Sequence, residues 1–221
     1  MKVLQTDFFG DHNIGLYAKA SNKFCLVGEL ISQNYSQKIS EVLGAEVVPA
    51  RISKTEFIGI FSSLNSNGIV LPEITTESEI LKLKSLGLNI GILKSRHTAT
   101  GNLILCNDRG AVVSILIGKK EKKMIENVLG VEANYSTISG IHLVGSCGVS
   151  TNKGCLIHRD ASEEELKKIG EFLKVKADIG TVNFGSPFVC SGIIANSKGA
   201  LAGQSTSGPE IARVMEALNL V

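Results

Sequence analysis

A polar turn that runs through glycine into an apolar strand recurs along this chain at near-constant intervals, which restricts it to a repeat architecture. The copies are Asn65-Ser-Asn-Gly-Ile-Val-Leu71, Asn107-Asp-Arg-Gly-Ala-Val-Val113, Ser150-Thr-Asn-Lys-Gly-Cys-Leu-Ile-His158 and Asn196-Ser-Lys-Gly-Ala-Leu-Ala202. Ser21-Asn-Lys-Phe-Cys-Leu-Val27 is a weaker one. The anchors Phe24, Gly68, Gly110, Gly154 and Gly199 lie 44, 42, 44 and 45 residues apart, so five units fill the 221 residues. Polar residues followed by glycine suit a hairpin loop, where glycine accepts the positive φ that closes the turn.

Each unit reads as strand, turn, strand, helix, strand. In the first, Ile14–Ala20 and Phe24–Leu30 read as strands, Gln33–Leu43 as a helix stopped by Gly44, and Ala45–Ser53 as a third strand. Thr76…Glu79 and Ser162…Glu165 are capping boxes, in which hydroxyl and carboxylate each satisfy a free backbone N–H. The third helix is expected over Lys119–Leu129. The fifth opens on Ser207-Gly-Pro-Glu210, with proline in the first turn, where its missing N–H costs nothing. From turn anchor to helix end the distance is 20, 19, 20, 20 and 20 residues.

The fifth helix ends near Asn219 without a third strand to follow it, while Lys2–Phe9 is a strand to spare at the other end. The expected architecture is therefore a closed five-fold pseudosymmetric α/β propeller, strands inside and helices outside, with the N-terminal strand completing the fifth repeat. It forms one domain with units at about 10–54, 55–97, 98–140, 141–184, and 185–221 plus 1–9. Closure removes the sheet edges that an open array would expose. One unit's helix face supplies roughly 1.5–3 kcal/mol per buried aliphatic side chain. Ordering the backbone costs about 1–2 kcal/mol per residue, so the units are expected to fold together.

A net charge of +2 does not by itself point to nucleic acid; such contact would need a local patch. Five cysteines without a CxxC pair indicate reduced thiols in a cytoplasmic protein. No signal peptide, spanning segment, metal-ligand cluster or cofactor motif is evident, and a monomer without membrane contact is expected.

Several segments are specific in combination: Thr98-Ala-Thr-Gly-Asn102 with Cys106-Asn-Asp108, Val144-Gly-Ser146, Thr151-Asn-Lys-Gly154, Gly180-Thr-Val-Asn-Phe-Gly-Ser186, and Ala195-Asn-Ser-Lys-Gly199 with Thr206-Ser-Gly-Pro-Glu210. In this order they resemble the pentein fold and, within it, the translation initiation factor 6 family, over essentially the whole chain and in its archaeal form. Thr100 stands where that family usually has leucine. The resemblance implies a non-catalytic protein that binds the large (50S) ribosomal subunit and prevents its association with the small (30S) subunit. The contact it implies is a ribosomal protein of the L14 type, near the sarcin–ricin loop of the large-subunit RNA.

Two rims compete for that contact. The turn tips carry Lys23, Arg109, Lys153 and Lys198, which would face RNA phosphates or simply be polar tips. The connectors before each first strand carry Ile60, Asn102, Ser146 and Asn183, a mixed set suited to a protein partner. This rim is preferred, with Asn102 first; otherwise Asn102 is an asparagine at a strand start bonding its own loop. Lys119-Lys-Glu-Lys-Lys123 reads as a solvated helix face. The alternative function is a pentein-type guanidine-modifying hydrolase or transferase using Cys190 as nucleophile with His142 nearby, although no acidic guanidinium clamp is identifiable.

Overall fold

The computed structural model describes residues 2–221; Met1, ahead of the first expected strand, lies outside them. Among these residues, five three-stranded sheets and eight α-helices follow the repeat. Unit 1 contains Ala18–Ala20, Phe24–Gly28, the helix Gln33–Leu43 and Glu46–Ala50. Unit 2 has Ser63–Leu64, Gly68–Pro72, the helix Glu77–Lys84 and Asn89–Leu93. Unit 3 has Ile104–Cys106, Ala111–Ser114, the helix Lys119–Leu129 and Ala133–Ser136. Unit 4 has Gly148–Ser150, Cys155–His158, the helix Glu163–Leu173 and Ala177–Gly180. Unit 5 has Ile193–Ala195, Ala200–Gly203 and the helix Gly208–Ala217. Its third strand is Val3–Thr6, paired parallel with Ala200–Gly203 from Val3 opposite Ala200 to Thr6 opposite Gly203. In every sheet the second strand is central, antiparallel to the first and parallel to the third.

The helix limits agree with the local signals. Gly44, Gly87 and Gly130 follow the first three helices with φ of 52°, 74° and 65°, and Lys174 and Asn219 take the same left-handed conformation at the matching places. Both residues of the capping box are engaged at Thr76/Glu79, Ser162/Glu165 and Ser207/Glu210.

Two expectations are corrected. Ile14–Ala20 is not one strand: Ile14–Leu16 form a 3-10 turn and only Ala18–Ala20 pair. Short helical turns at Ile58–Phe61, Thr100–Leu103 and Val189–Gly192 precede the first strands of other units in the same way. Gly15, Gly59 and Gly101 sit in these turns and contact one another. A Cβ on Gly59 would overlap the carbonyl of Gly15, one on Gly101 that of Gly59, and one on Gly145 that of Gly101. Likewise, the turn glycines Gly68, Gly110, Gly154 and Gly199 are not in the positive-φ region. They are small because the next helix along lies against them, where a Cβ would press on the carbonyls of Val128, Phe172, Ala217 and Val42 respectively. Phe24 replaces glycine where the neighbouring helix, Glu77–Lys84, is eight residues long instead of ten or eleven. Phe24, Ile80 and Leu86 are all partly buried against the core that units 1 and 2 share.

The apolar cores lie between units. Leu26 and Ala50 of unit 1 pack with Ile69, Leu71 and Leu83 of unit 2. Val70 and Leu93 pack with Ile125 and Leu129 of unit 3, and Leu105 and Val112 with Ile169 and Leu173 of unit 4. Leu156 and Val182 pack with Val214 and Leu218 of unit 5, and Ile194 and Leu201 with Ile39 and Leu43 of unit 1. No unit encloses its own core, which is the physical basis for expecting cooperative folding.

Candidate functional site

The helices begin at the connector rim and end at the turn-tip rim, and this polarity shapes both. At the turn tips of units 2, 3 and 5 the asparagine opening the turn is buried and works twice. Asn65 Oδ1 accepts from the N–H groups of Asn67 and Gly68, while its Nδ2 donates to the carbonyls of Asn107 (3.1 Å) and Leu129 (2.8 Å) of unit 3. Asn107 donates likewise to Thr151 and Leu173, and Asn196 to Ser21 and Leu43 of unit 1. Leu43, Leu129 and Leu173 are the last residues of their helices, so each amide satisfies a helix-end carbonyl of the next unit.

Inside this girdle one side chain from each turn meets the others. Asp108 accepts from Ser66 N–H (2.7 Å), Ser66 Oγ, Asn22 Nδ2 and Asn152 Nδ2. Asn152 N–H donates to Ser197 Oγ, and Ser197 N–H to Asn22 Oδ1. Burial pushes the Asp108 carboxyl up, but the donors from Asn152, Ser66 and Asn22 outweigh it and hold it below the usual range. The cavity here is about 20 Å³, room for one water molecule.

The basic tips Lys23, Arg109, Lys153 and Lys198 are all exposed. Two of them already cap helices: Lys198 Nζ donates to the Gly44 carbonyl at 2.6 Å, and Arg109 Nη1 to that of Lys174 at 3.4 Å. Cations there also complement the negative end of the helix dipole.

The connector rim is built from tight turns. Phe9-Gly10, Ser53-Lys54, Ser139-Gly140 and Asn183-Phe184-Gly185 all have positive φ. For the non-glycine residues that conformation is costly, about 1–2 kcal/mol each. Helix-cap glutamates hold three of the four turns. Glu79 accepts from the N–H groups of Ser53, Lys54 (2.7 Å) and Thr76; Glu210 accepts from those of Phe184, Gly185 (2.8 Å) and Ser207; Glu165 reaches Gly140 at 3.4 Å. Burial raises the Glu79 and Glu210 carboxyls, yet the surrounding amide and hydroxyl donors leave both below the ordinary range.

The four expected contact residues are all partly exposed, but they differ in commitment. Asn102 lies in the turn Thr100–Leu103 and not at a strand start; among the described residues its side-chain amide has no partner, so it does not bond its own loop. Ile60 lies in the equivalent turn of unit 2. Ser146 Oγ donates to the carbonyl of Leu143. Asn183 is tied down: its Nδ2 donates to the His12 carbonyl at 2.9 Å and its Oδ1 accepts from Thr206 Oγ1, joining units 5 and 1.

Sequence reasoning missed the aromatic side chains of this rim. Phe9, Phe57, Phe184 and Phe188 are 62%, 37%, 86% and 42% exposed, with Leu143 at 39%. Tyr17 bridges Phe9 and Phe57, with ring centroids 5.8 and 5.3 Å away. The signal was available, because four of the eight phenylalanines in the chain, Phe9, Phe57, Phe184 and Phe188, fall in or beside the connectors that lead into a first strand.

Cys190 is 8% exposed, and the group on its sulfur is Lys19 Nζ at 3.5 Å, with His142 exposed in a different connector. Burial pushes the thiols of Cys25, Cys106 and Cys155 up to about 12 and that of Cys147 to about 11.

The eIF-6 family model matches residues 3–217. The chain is 43% identical over 221 residues to translation initiation factor 6 of Saccharolobus islandicus, covering 99% of both chains. It is 40% identical over 227 residues to that of Pyrococcus abyssi, covering 100% of both, and 38% identical to that of Staphylothermus marinus, covering 99% and 98%. All three sources are archaeal. With the match running through all five units, the chain belongs to the eIF-6 family of translation initiation factors, whose role is non-enzymatic.

Proposed function

We propose that this protein binds the large ribosomal subunit through its connector rim and keeps the small subunit from joining. Family membership carries the reading. The rim supports it: exposed phenylalanines beside half-exposed Ile60, Asn102 and Ser146 suit a few desolvated contacts within a polar border, the anatomy of a protein interface. A ribosomal protein of the L14 type, near the sarcin–ricin loop, is the partner we assign. The turn-tip cations fit this choice, since two of the four are engaged within the chain.

We further infer that the five units close into a single-domain propeller acting as a monomer in the cytoplasm. Support comes from the core shared by units 5 and 1, from Asn196 reaching Ser21 and Leu43, and from the pairing of Val3–Thr6 with Ala200–Gly203. A rigid body of this kind blocks subunit joining by occupying space.

The test is co-sedimentation with purified large subunits, together with the yield of joined ribosomes. Wild-type protein is expected to sediment with large subunits and lower that yield. Asn102→Arg, folded by circular dichroism, should lose binding, while single reversals of Lys23, Arg109, Lys153 or Lys198 should matter less. Normal binding by Asn102→Arg with loss in the reversals would place the contact on the other rim.

A further inference from the structure

We propose that the unit 3 sector of the connector rim is a phosphate-binding surface for ribosomal RNA, separate from the aromatic arc. This rests on the ribosome-binding reading and adds a second class of contact to it. Five basic side chains, Lys94, Arg96, Lys119, Lys120 and Lys123, are exposed here on two elements. Gly91 faces Met124 and Val128, and Gly68, paired with Asn89, faces Val128. The strand Asn89–Leu93 therefore runs opposite to the helix Lys119–Leu129, and its continuation through Lys94 and Arg96 emerges beside the helix start.

None of the five forms an ion pair among the described residues; Lys122, the remaining lysine of the run, is the one engaged, with Glu126 at 2.7 Å. The placement also runs against the fold's own electrostatics. The helices of units 2, 4 and 5 open on Glu77 and Glu79, on Glu163 to Glu165, and on Glu210, as the positive end of the helix dipole favours. The unit 3 helix instead opens on Lys119 and Lys120, with Glu121 its only first-turn acid. Cations at a helix N-terminus destabilise it, so a stability argument does not account for them. The unit 3 connector also lacks the left-handed turn of the other four and the glutamate clamp that holds three of them. Its backbone amides are not taken by a carboxylate there. Clustered Lys and Arg without ion-pair partners, on a protein of net charge +2, form the local patch that phosphodiester binding requires.

The experiment compares wild type, Lys119→Glu/Lys120→Glu/Lys123→Glu and Lys94→Glu/Arg96→Glu in binding to purified large subunits and to a free mixed-sequence RNA hairpin across a KCl series, with thermal midpoints in parallel. The helix variant should have an equal or higher midpoint, at least about tenfold weaker binding to both ligands, and a salt slope shallower by about two to three. The connector variant, which leaves the helix untouched, should show the same trend. Unchanged affinity and slope in both variants would overturn the proposal. So would weakened subunit binding with hairpin binding intact, which would identify an acidic protein surface as the partner. Failure of wild type to bind subunits would count against the parent reading alone, and the hairpin series would still decide this one.

Discussion

At Gly154 an added methyl group would overlap the carbonyl oxygen of Ala217, which belongs to the fifth helix. Gly154→Ala must push that helix outward and is expected to cost about 1–3 kcal/mol, the usual range for overpacking. Gly208→Ala meets no atom within 4 Å and serves as the control, with a change within about 0.5 kcal/mol. Denaturant midpoints read both; equal stability of the two variants would sink the packing explanation. Lys198 makes a related prediction at a tip. Its ammonium caps the Gly44 carbonyl, so Lys198→Glu should lower the thermal midpoint, whereas Lys153→Glu, with no bond of that kind, should not. The glycine at four of the five turns was legible as a repeat anchor, but its reason was not. A hairpin glycine and a close-packed glycine look alike in sequence, and only the position of the next helix separates them.

Among the elements, the capping boxes do more than start helices. Glu79 and Glu210 each satisfy the N–H groups of their own helix start and of a strained connector turn more than twenty residues upstream. Their folded-state carboxyls lie below the ordinary range. The stability they contribute is therefore fully present above the unfolded value, about 4.3, and is lost as pH falls through the folded value. Glu79→Gln and Glu210→Gln should lower stability at neutral pH and flatten its decline between pH 5 and lower values. Unfolding midpoints across that window, compared with Glu77→Gln as an unclamped control, provide the check. A decline as steep as wild type in both variants would mean the clamps do not bind more tightly when ionised. The box itself was readable, since Thr76 and Glu79 are three residues apart. The clamp was not, because it needs Ser53 and Lys54 to be delivered by a strand of the preceding unit.

For the whole molecule, the decisive contacts join residues near the two ends of the chain. Removing residues 1–9 would uncover Ala200–Gly203 along one edge and take Phe8 and Val3 from two cores. The truncated protein should unfold at lower temperature and self-associate through the bare edge, as seen by calorimetry and analytical ultracentrifugation. Full stability in a monomeric truncation would refute closure by the N-terminal strand.

By itself the sequence determined the number of units, the helix limits to within a residue or two, and the membership of Val3–Thr6 in the last unit. These rest on local chemistry: apolar periodicity, a hydroxyl three residues before a glutamate, a left-handed residue after a helix. Tertiary structure alone decided that Ile14–Leu16 turn instead of extending, that Arg109 and Lys198 cap helices of other units, that Asn183 is spent at a junction while Asn102 is left free, and that Phe9, Tyr17 and Phe57 meet on one rim. Each of these depends on groups brought together from different units. No local propensity encodes such a meeting, because it follows from how five sheets and their helices pack around one another.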